Sequence, residues 1–397
     1  MSPGPLSGVR VVDLTRILAG PFCTMVLGDL GADVVKVEEA THGDDTRAWG
    51  PPFQGDQTAY FLSVNRNKRS IGLDLKSPEG SGIVRRLVER ADVLVENFRP
   101  GTAERLGLGW EEMSRIRPEL VYASISGYGQ TGPDADRPGY DAIAQARSGI
   151  MSVTGEPDGP PVRVGVSSGD IGAGMWAAIG ILAALHARES TGRGQLVDIS
   201  LLDGQVAWLT YVAAGYFASG STPQRYGSAH PSIVPYQAVR SADGRVMLAV
   251  GNDTIWRRFA VAVGSPELAE NPRYATNELR VCNREEVIRD IERVLVHKPT
   301  EHWVKVLEEA GVPAGPINDV PAAVSDPQIL AREMVVEFVH PSAGTVRSVG
   351  SPIKLSDTAT SMRLAPPVLG EHGDAVLKEF GMSAREIEGL RERGVLT

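Results

Sequence analysis

The sequence predicts an α/β protein, a doubly wound parallel sheet accompanied by a smaller α+β domain. Three observations lead there. Short β-branched runs alternate with helical stretches through the first half of the chain, which is the grammar of parallel βαβ units. After Gly220 the alternation gives way to a hairpin pattern and amphipathic helices. The 397 residues also exceed what a single core usually holds, so two domains are expected.

Taken in order, residues 9–14 (Val-Arg-Val-Val-Asp-Leu) read as a strand, Gly20-Pro21 as a turn and 22–30 as a helix. Residues 32–38 form a second strand, and 70–75, 93–95 and 120–125 supply three more, with helices at 78–90 and 111–116 between them. Residues 163–166 read as a strand entering a glycine turn, followed by a buried helix from 175 to 185. A strand at 195–200 and a further buried helix at 201–218 complete this part. Beyond it come a loop at 227–235, a hairpin at 238–250 turning at Asp243-Gly244, and helices at 256–264, 284–296 and 300–310. The Pro-rich tail ends in a helix at 383–392. The expected domains are 1–224, 225–335, and a C-terminal segment, 336–397, that returns to the large domain.

Composition excludes several classes of function. The net charge of −9, with no run of Lys or Arg, argues against nucleic-acid and anionic-membrane partners. Cys23 and Cys282 stand far apart without a CxxC pair, which points to a reducing, cytoplasmic setting and against a structural metal. The N-terminus lacks the basic-then-apolar pattern of a signal peptide, and the apolar run 171–185 is short and Gly-rich for a bilayer span.

Asp170 is the leading catalytic candidate. It sits in Ser167-Ser168-Gly169-Asp170-Ile171-Gly172 among small, uncharged neighbours that let a ligand approach the backbone. A lone acid before a buried helix is either a nucleophile or general base, or an N-cap. Gly172-Ala173-Gly174-Met175-Trp176-Ala177 fits the dinucleotide fingerprint, with Asp198 downstream, so an NAD-dependent oxidoreductase is a third-ranked reading. The fingerprint usually opens its domain, whereas this one follows several elements.

Two polar loops present cations: Asn65-Arg66-Asn67-Lys68-Arg69-Ser70 with Lys76, and Glu96-Asn97-Phe98-Arg99-Pro100-Gly101 with Arg105. Placed at strand ends, they are positioned to hold phosphates, and Phe98 to stack on a flat base. Gly127–Pro133 and Arg137-Pro138-Gly139-Tyr140-Asp141 form a glycine-rich connection, and Gly227-Ser228-Ala229-His230-Pro231-Ser232 another. No Ser–His–Asp spacing supports His230 as a catalytic base.

Together, Leu18-Ala19-Gly20-Pro21, Gly31-Ala32-Asp33-Val34-Val35-Lys36-Val37-Glu38, residues 65–70, 95–101 and 127–133, Gly169-Asp170 and Thr191-Gly192-Arg193-Gly194-Gln195 resemble the family III CoA-transferases. That family includes formyl-CoA and carnitine-CoA transferases and 2-methylacyl-CoA racemase. The resemblance implies an interlocked homodimer with a Rossmann-like large domain. Coenzyme A or acyl-CoA is then a substrate, with no permanently bound cofactor and no metal.

On that resemblance Asp170 takes the place of the family's nucleophilic aspartate. The CoA-contacting positions fall on Leu18, Ala19, Leu73, Lys76, Asn97, Phe98, Arg99, Arg105, Arg137 and Tyr140. Glu39 departs from the pattern, standing where formyl-transferase members carry a basic contact. Racemase members carry His where Tyr140 stands, so a 2-methylacyl-CoA racemase is the alternative and a transferase the first reading. Residues 226–238 and 311–318 further resemble succinate–hydroxymethylglutarate CoA-transferases and their bacterial dicarboxylate relatives. This implies a succinyl-CoA donor, a dicarboxylic acceptor, and a substrate loop of Gly227, Ser228, Ala229 and His230. His230 and Arg16 compete as the group that holds the far carboxylate.

Overall fold

The computed structural model describes residues 4–397, and these form two compact units. The larger comprises residues up to 150, 163–214 and 328–397; the smaller comprises Met151–Val162 and Gly215–Pro327. The expected boundaries at 225 and 335 therefore differ by several residues from the observed divisions. The insertion of 151–162 into the smaller unit carried no sequence signal.

The larger unit is built on six parallel strands: β1 Arg10–Asp13, β2 Asp33–Glu38, β3 Lys68–Gly72, β4 Val93–Glu96, β5 Val121–Ser126 and β6 Leu196–Ser200. Their order across the sheet is β3-β2-β1-β4-β5-β6, with Val12 opposite Val35 on one side and Leu94 on the other. The direction of winding reverses between β1 and β4, and a crevice at the carboxyl ends is expected there.

Alternation along β1 divides the interior. Val12 points into a core with Val35, Leu94 and Leu87, whereas Val11 points into a second core with Val34, Val93 and Leu27. Strands covered on both faces read as near-continuous apolar runs, as Val93-Leu94-Val95 does. Helix Pro78–Val88 covers the first face; Ser77 caps it by accepting the Gly80 N–H at 3.0 Å, and proline suits its first turn.

The C-terminal segment packs on this same face. Val376, Leu377, Ile387 and Leu390 come from helices Gly373–Glu379 and Ala384–Glu392 and share the Val12 core. The Thr397 N–H reaches the Gly72 carbonyl at 3.1 Å. A hairpin, Val335–His340 with Gly344–Val349, precedes these helices.

The second face is covered by helix α1, Ala19–Asp29, and by a long helix, Ser168–Thr191. The long helix has the length and apolar composition to cross a membrane, more than the 171–185 run suggested. Here its small residues Gly172, Ala173, Ala177 and Ala178 are buried instead. Gly174 allows close approach, since a Cβ there would lie 2.5 Å from the Ala19 carbonyl oxygen. The opposite face leaves Met175, Trp176 and Ile179 exposed, so the helix is less buried than its sequence predicts.

Several expectations need correction. Residues 163–167 are irregular rather than a strand, because the Val164 N–H bonds the Gln145 side chain instead of a sheet partner. Gly20-Pro21 lies inside the first turn of α1, where proline gives up no helix bond. The 201–218 helix breaks at Trp208-Leu209, with Thr210 at φ +34°, and its second half, Thr210–Ser219, buries no residue.

Within the smaller unit, Tyr236–Arg240 and Arg245–Ala249 form the expected hairpin, and Ala314–Pro316 adds a third antiparallel strand. Helices Asp253–Ala262, Arg284–Leu295 and Thr300–Glu309 pack Phe259, Ile291, Leu295 and Leu307 into its core.

Candidate active site

A cleft opens at the carboxyl ends of β1, β4, β5 and β6, centred where the winding reverses. It is lined by Arg16, Ile17, Leu18 and Ala19 after β1, by residues 97–100 after β4, by residues 125–127 at the end of β5, by Leu201 after β6, and by residues 137–140 and Asp170.

The β1 turn is held from beneath by buried charge. Lys36, fully buried on β2, donates from Nζ to the Thr15 carbonyl at 2.7 Å and to Asp44 at 2.9 Å. Asp44 in turn accepts the Ile17 N–H at 3.1 Å. Ile17 adopts φ +72°, a conformation that costs a β-branched residue energy and persists only when its surroundings impose it. The Lys36–Asp44 pair supplies that constraint. Lys36 raises its own charge affinity through Asp44, and Asp44 falls to a pKa of about 2 as Lys36 and the Thr46 bonds outweigh burial.

The turn is also clamped from the β4 side. Asn97 accepts the Arg16 N–H at 3.0 Å and donates to the Arg16 carbonyl at 2.7 Å. Glu96, buried at the end of β4, accepts the Phe98 N–H at 2.7 Å; burial pushes its carboxyl up to about 7. These bonds direct the start of α1 toward the cleft, and the cap residue Leu18 offers no side-chain acceptor. The first-turn N–H groups of a helix carry its partial positive charge.

A close backbone contact shapes the far wall. A Cβ on Gly127 would lie 2.6 Å from the Gly139 Cα, so only two glycines let the β5 loop and the 137–140 segment pack this closely. Tyr140 then leads into helix Asp141–Arg147 and is largely exposed.

Asp170 lies in the first turn of the Ser168–Thr191 helix, not at its cap, which is Ser167. Asp141 accepts the Gly169 N–H at 2.7 Å and the Gln145 amide at 2.8 Å, and Gln145 holds Val164. This framework fixes the chain on both sides of the entry to Asp170. Burial, with repulsion from Asp141 second, raises the Asp170 carboxyl to about 7. Ile17, Leu18 and Ile171 belong to one small apolar cluster beside it. A desolvated carboxylate that lines one cleft with Leu18 and Ala19, at the start of α1, is chemically equipped for nucleophilic attack on an acyl carbon.

The cleft brings together Leu18, Ala19, Asn97, Phe98, Arg99, Arg137, Tyr140 and Asp170. Leu73, Lys76 and Arg105 lie outside it. Leu73 is buried and bridged to Leu396, the Lys76 N–H bonds Asp74, and the Arg105 guanidinium donates to Thr102 at 2.7 Å.

The 65–70 loop is not a phosphate cradle. It leads into β3 rather than out of it, so it sits at the amino end, and its cations are committed internally. Arg66 forks onto Asp29 at 2.9 and 2.6 Å, Arg69 onto Asp33 at 2.9 and 2.7 Å. Lys68 is buried against Asp13, Pro21 and Asn65, and burial lowers it to about 8. The dinucleotide fingerprint is overturned too: residues 172–177 are helical interior with no phosphate-facing turn, and Asp198 accepts the Gln130 N–H.

The 227–232 loop in the smaller unit is held by several hydrogen bonds. The Gly227 N–H reaches the Gly155 carbonyl at 2.9 Å, and Arg284 donates to the carbonyls of His230 and Pro231 at 2.9 and 2.8 Å. His230 Nδ1 accepts the Ser232 N–H at 3.1 Å. Sequence reasoning missed Lys36, Asp44 and Gln145 as parts of the site. Only Asp141 followed four residues later by Gln145 offered a local signal.

Comparison with known proteins shows the family. The model of CoA-transferase family III matches residues 6–373. Human succinyl-CoA:glutarate CoA-transferase is 45% identical, covering 99% of this chain and 90% of its own. Acetyl-CoA:oxalate CoA-transferase of Acetobacter aceti is 44% identical, covering 95% and 96%. The crystal structure of a CAIB/BAIF family protein from Brucella suis superposes with a TM-score of 0.85 at 43% identity, covering 96% of this chain and all of that one. The chain belongs to CoA-transferase family III and is an enzyme of that class.

Proposed function

We propose that this family III CoA-transferase moves CoA from succinyl-CoA to a dicarboxylic acid, with Asp170 as nucleophile. The observation that carries the proposal is the position of Asp170, a part-buried carboxylate lining the cleft at the winding reversal beside the start of α1. Relatives named for glutarate and oxalate as CoA acceptors support the substrate class.

In the first step an Asp170 oxygen attacks the thioester carbon, the carbon–sulfur bond breaks, and CoA leaves as thiolate. The product is an aspartyl–succinyl anhydride. The thiolate then attacks the aspartyl carbonyl carbon, the anhydride C–O bond breaks, and succinate departs as carboxylate. Asp170 now carries CoA as a thioester. The acceptor carboxylate runs the sequence in reverse, restoring the Asp170 carboxylate, and no net proton is transferred. Splitting the exchange in this way conserves the thioester energy.

N–H groups at Leu18 and Ala19 stabilise the oxyanions. Asn97, Phe98, Arg99, Arg137 and Tyr140 contact CoA within the cleft; Lys76 and Arg105 contact its remoter parts, and Leu73 contributes only backbone. We further propose Gly227, Ser228, Ala229 and His230 as a substrate loop. The enzyme works as an interlocked homodimer, and the exposed Met175, Trp176 and Ile179 supply apolar surface for such an interface. The two free cysteines suit the cytoplasm.

The test is succinyl-CoA with a panel of dicarboxylic acids, followed by mass spectrometry of the acyl-CoA products. A new acyl-CoA that Asp170→Ala cannot form supports the proposal. Deuterium entering a 2-methylacyl-CoA, without a second acid, would transfer the function to a racemase.

A further inference from the structure

We infer that Arg16 reads the second carboxylate of the substrate, so that Arg16 sets the preference for dicarboxylic over monocarboxylic acceptors. The inference rests on the CoA-transferase proposal and adds the group that recognises the far end of the acid.

Three cations line the cleft: Arg16, Arg99 and Arg137. Arg137 pairs with Asp134, its Nε lying 2.9 Å from the carboxylate. Arg99 is exposed on the loop after β4. Arg16 differs from both in how its neighbours reach Asp170. Ile17 and Leu18, next along the chain, share an apolar cluster with Ile171. Ala19 meets the same helix one turn on, at Gly174.

The backbone that carries Arg16 is also held on both sides. Asn97 binds both its N–H and its carbonyl, and the following residue is locked at φ +72° by Asp44. A guanidinium on a fixed backbone suits bidentate recognition of a carboxylate at a set distance from the nucleophile. Its present partner, Asp45, stands at 3.3 Å with both side chains about half exposed (55% and 49%). Exposed pairs are weak, so a substrate carboxylate displaces Asp45 at little cost.

The experiment holds succinyl-CoA as donor and compares glutarate with pentanoate, which carries a methyl in place of the second carboxylate. In a two-stage exchange, kcat/KM for the acceptor reports only the second half-reaction, so loss of donor affinity does not enter. Arg16→Leu should lower the glutarate-to-pentanoate ratio by roughly 10- to 100-fold, the scale of a charge-assisted hydrogen bond, with Arg16→Lys recovering part. Asp45→Asn should lower KM for glutarate by about two- to fivefold, because a competitor for Arg16 is removed. A folded Arg16→Leu enzyme with an unchanged ratio overturns the inference, as does collapse of the ratio in Arg99→Leu instead. An Asp45→Asn enzyme with unchanged or raised KM overturns it independently, even if Arg16→Leu fails to fold. Wild-type protein that forms no acyl-CoA from either acid overturns the transferase proposal itself.

Discussion

The Asp141 carboxylate accepts the N–H of Gly169 at 2.7 Å, one residue before Asp170. The acid that fixes the start of the long helix is thus also an acid that repels the proposed nucleophile. Burial is the larger cause of the raised Asp170 pKa, and Asp141 is the second. Positioning and reactivity are coupled through this one contact.

The reactive form of Asp170 is the carboxylate, so kcat/KM for the acyl-CoA donor should rise with pH and level off above a midpoint near 7. Asp141→Asn keeps an acceptor for the Gly169 N–H but removes the negative charge. Its midpoint should therefore move to lower pH. A profile that is flat across neutrality, or an unmoved midpoint in the variant, would contradict the assignment.

Stability should follow the same group with a defined sign. The folded pKa of Asp170 lies above its ordinary value of 3.8, so the folded state binds the proton more tightly than the unfolded one. Stability then falls as pH rises from about 4 through 7. Asp170→Asn should stabilise the protein at pH 8 by roughly 1–2 kcal/mol, after allowance for partial exposure, and by little at pH 4. Thermal melts at the two pH values measure the difference.

Breaking the buried Lys36–Asp44 pair should be costly. Lys36→Met leaves Asp44 buried without its cation, at a cost of about 3–5 kcal/mol. Asp44 titrates at about 2 against an ordinary 3.8, so its stabilising contribution is present above pH 4 and lost as pH falls through 2. Asp44→Ala also releases Ile17 from its left-handed conformation, and turnover should fall even where the protein remains folded. Chemical denaturation together with steady-state rates separates the two effects.

Gly174→Ala places a methyl 2.5 Å from the Ala19 carbonyl, on backbone that cannot swing away. The start of α1 must then shift relative to Asp170, and misplacement of order 1 Å costs about a hundredfold in rate. We expect kcat to drop far more than CoA affinity, which calorimetry with free CoA reports.

The parallel sheet was legible because strands buried on both faces are apolar throughout, as Val93–Val95 shows. Asp170 stood out from its glycine-lined setting before a small-residue helix, and it lines the cleft. Its position inside the first helical turn was not legible: residues 163–166 look like a strand, yet the Val164 N–H is bound by the Gln145 side chain, 19 residues earlier. The basic 65–70 loop misled for a related reason. Its charges are visible locally, but Asp29, Asp33 and Asp13, which neutralise them, are brought close only by the fold. Lys36 and Asp44 were invisible as site residues because each acts through a backbone group of the β1 turn.

The most direct test of the central claim is mass spectrometry of the intact protein quenched during turnover with succinyl-CoA, followed by peptide mapping. The expected result is an adduct of CoA less one water, confined to the peptide that contains Asp170 and absent from Asp170→Ala. Continued acyl-CoA formation by Asp170→Ala, or an adduct on a different peptide, would contradict it.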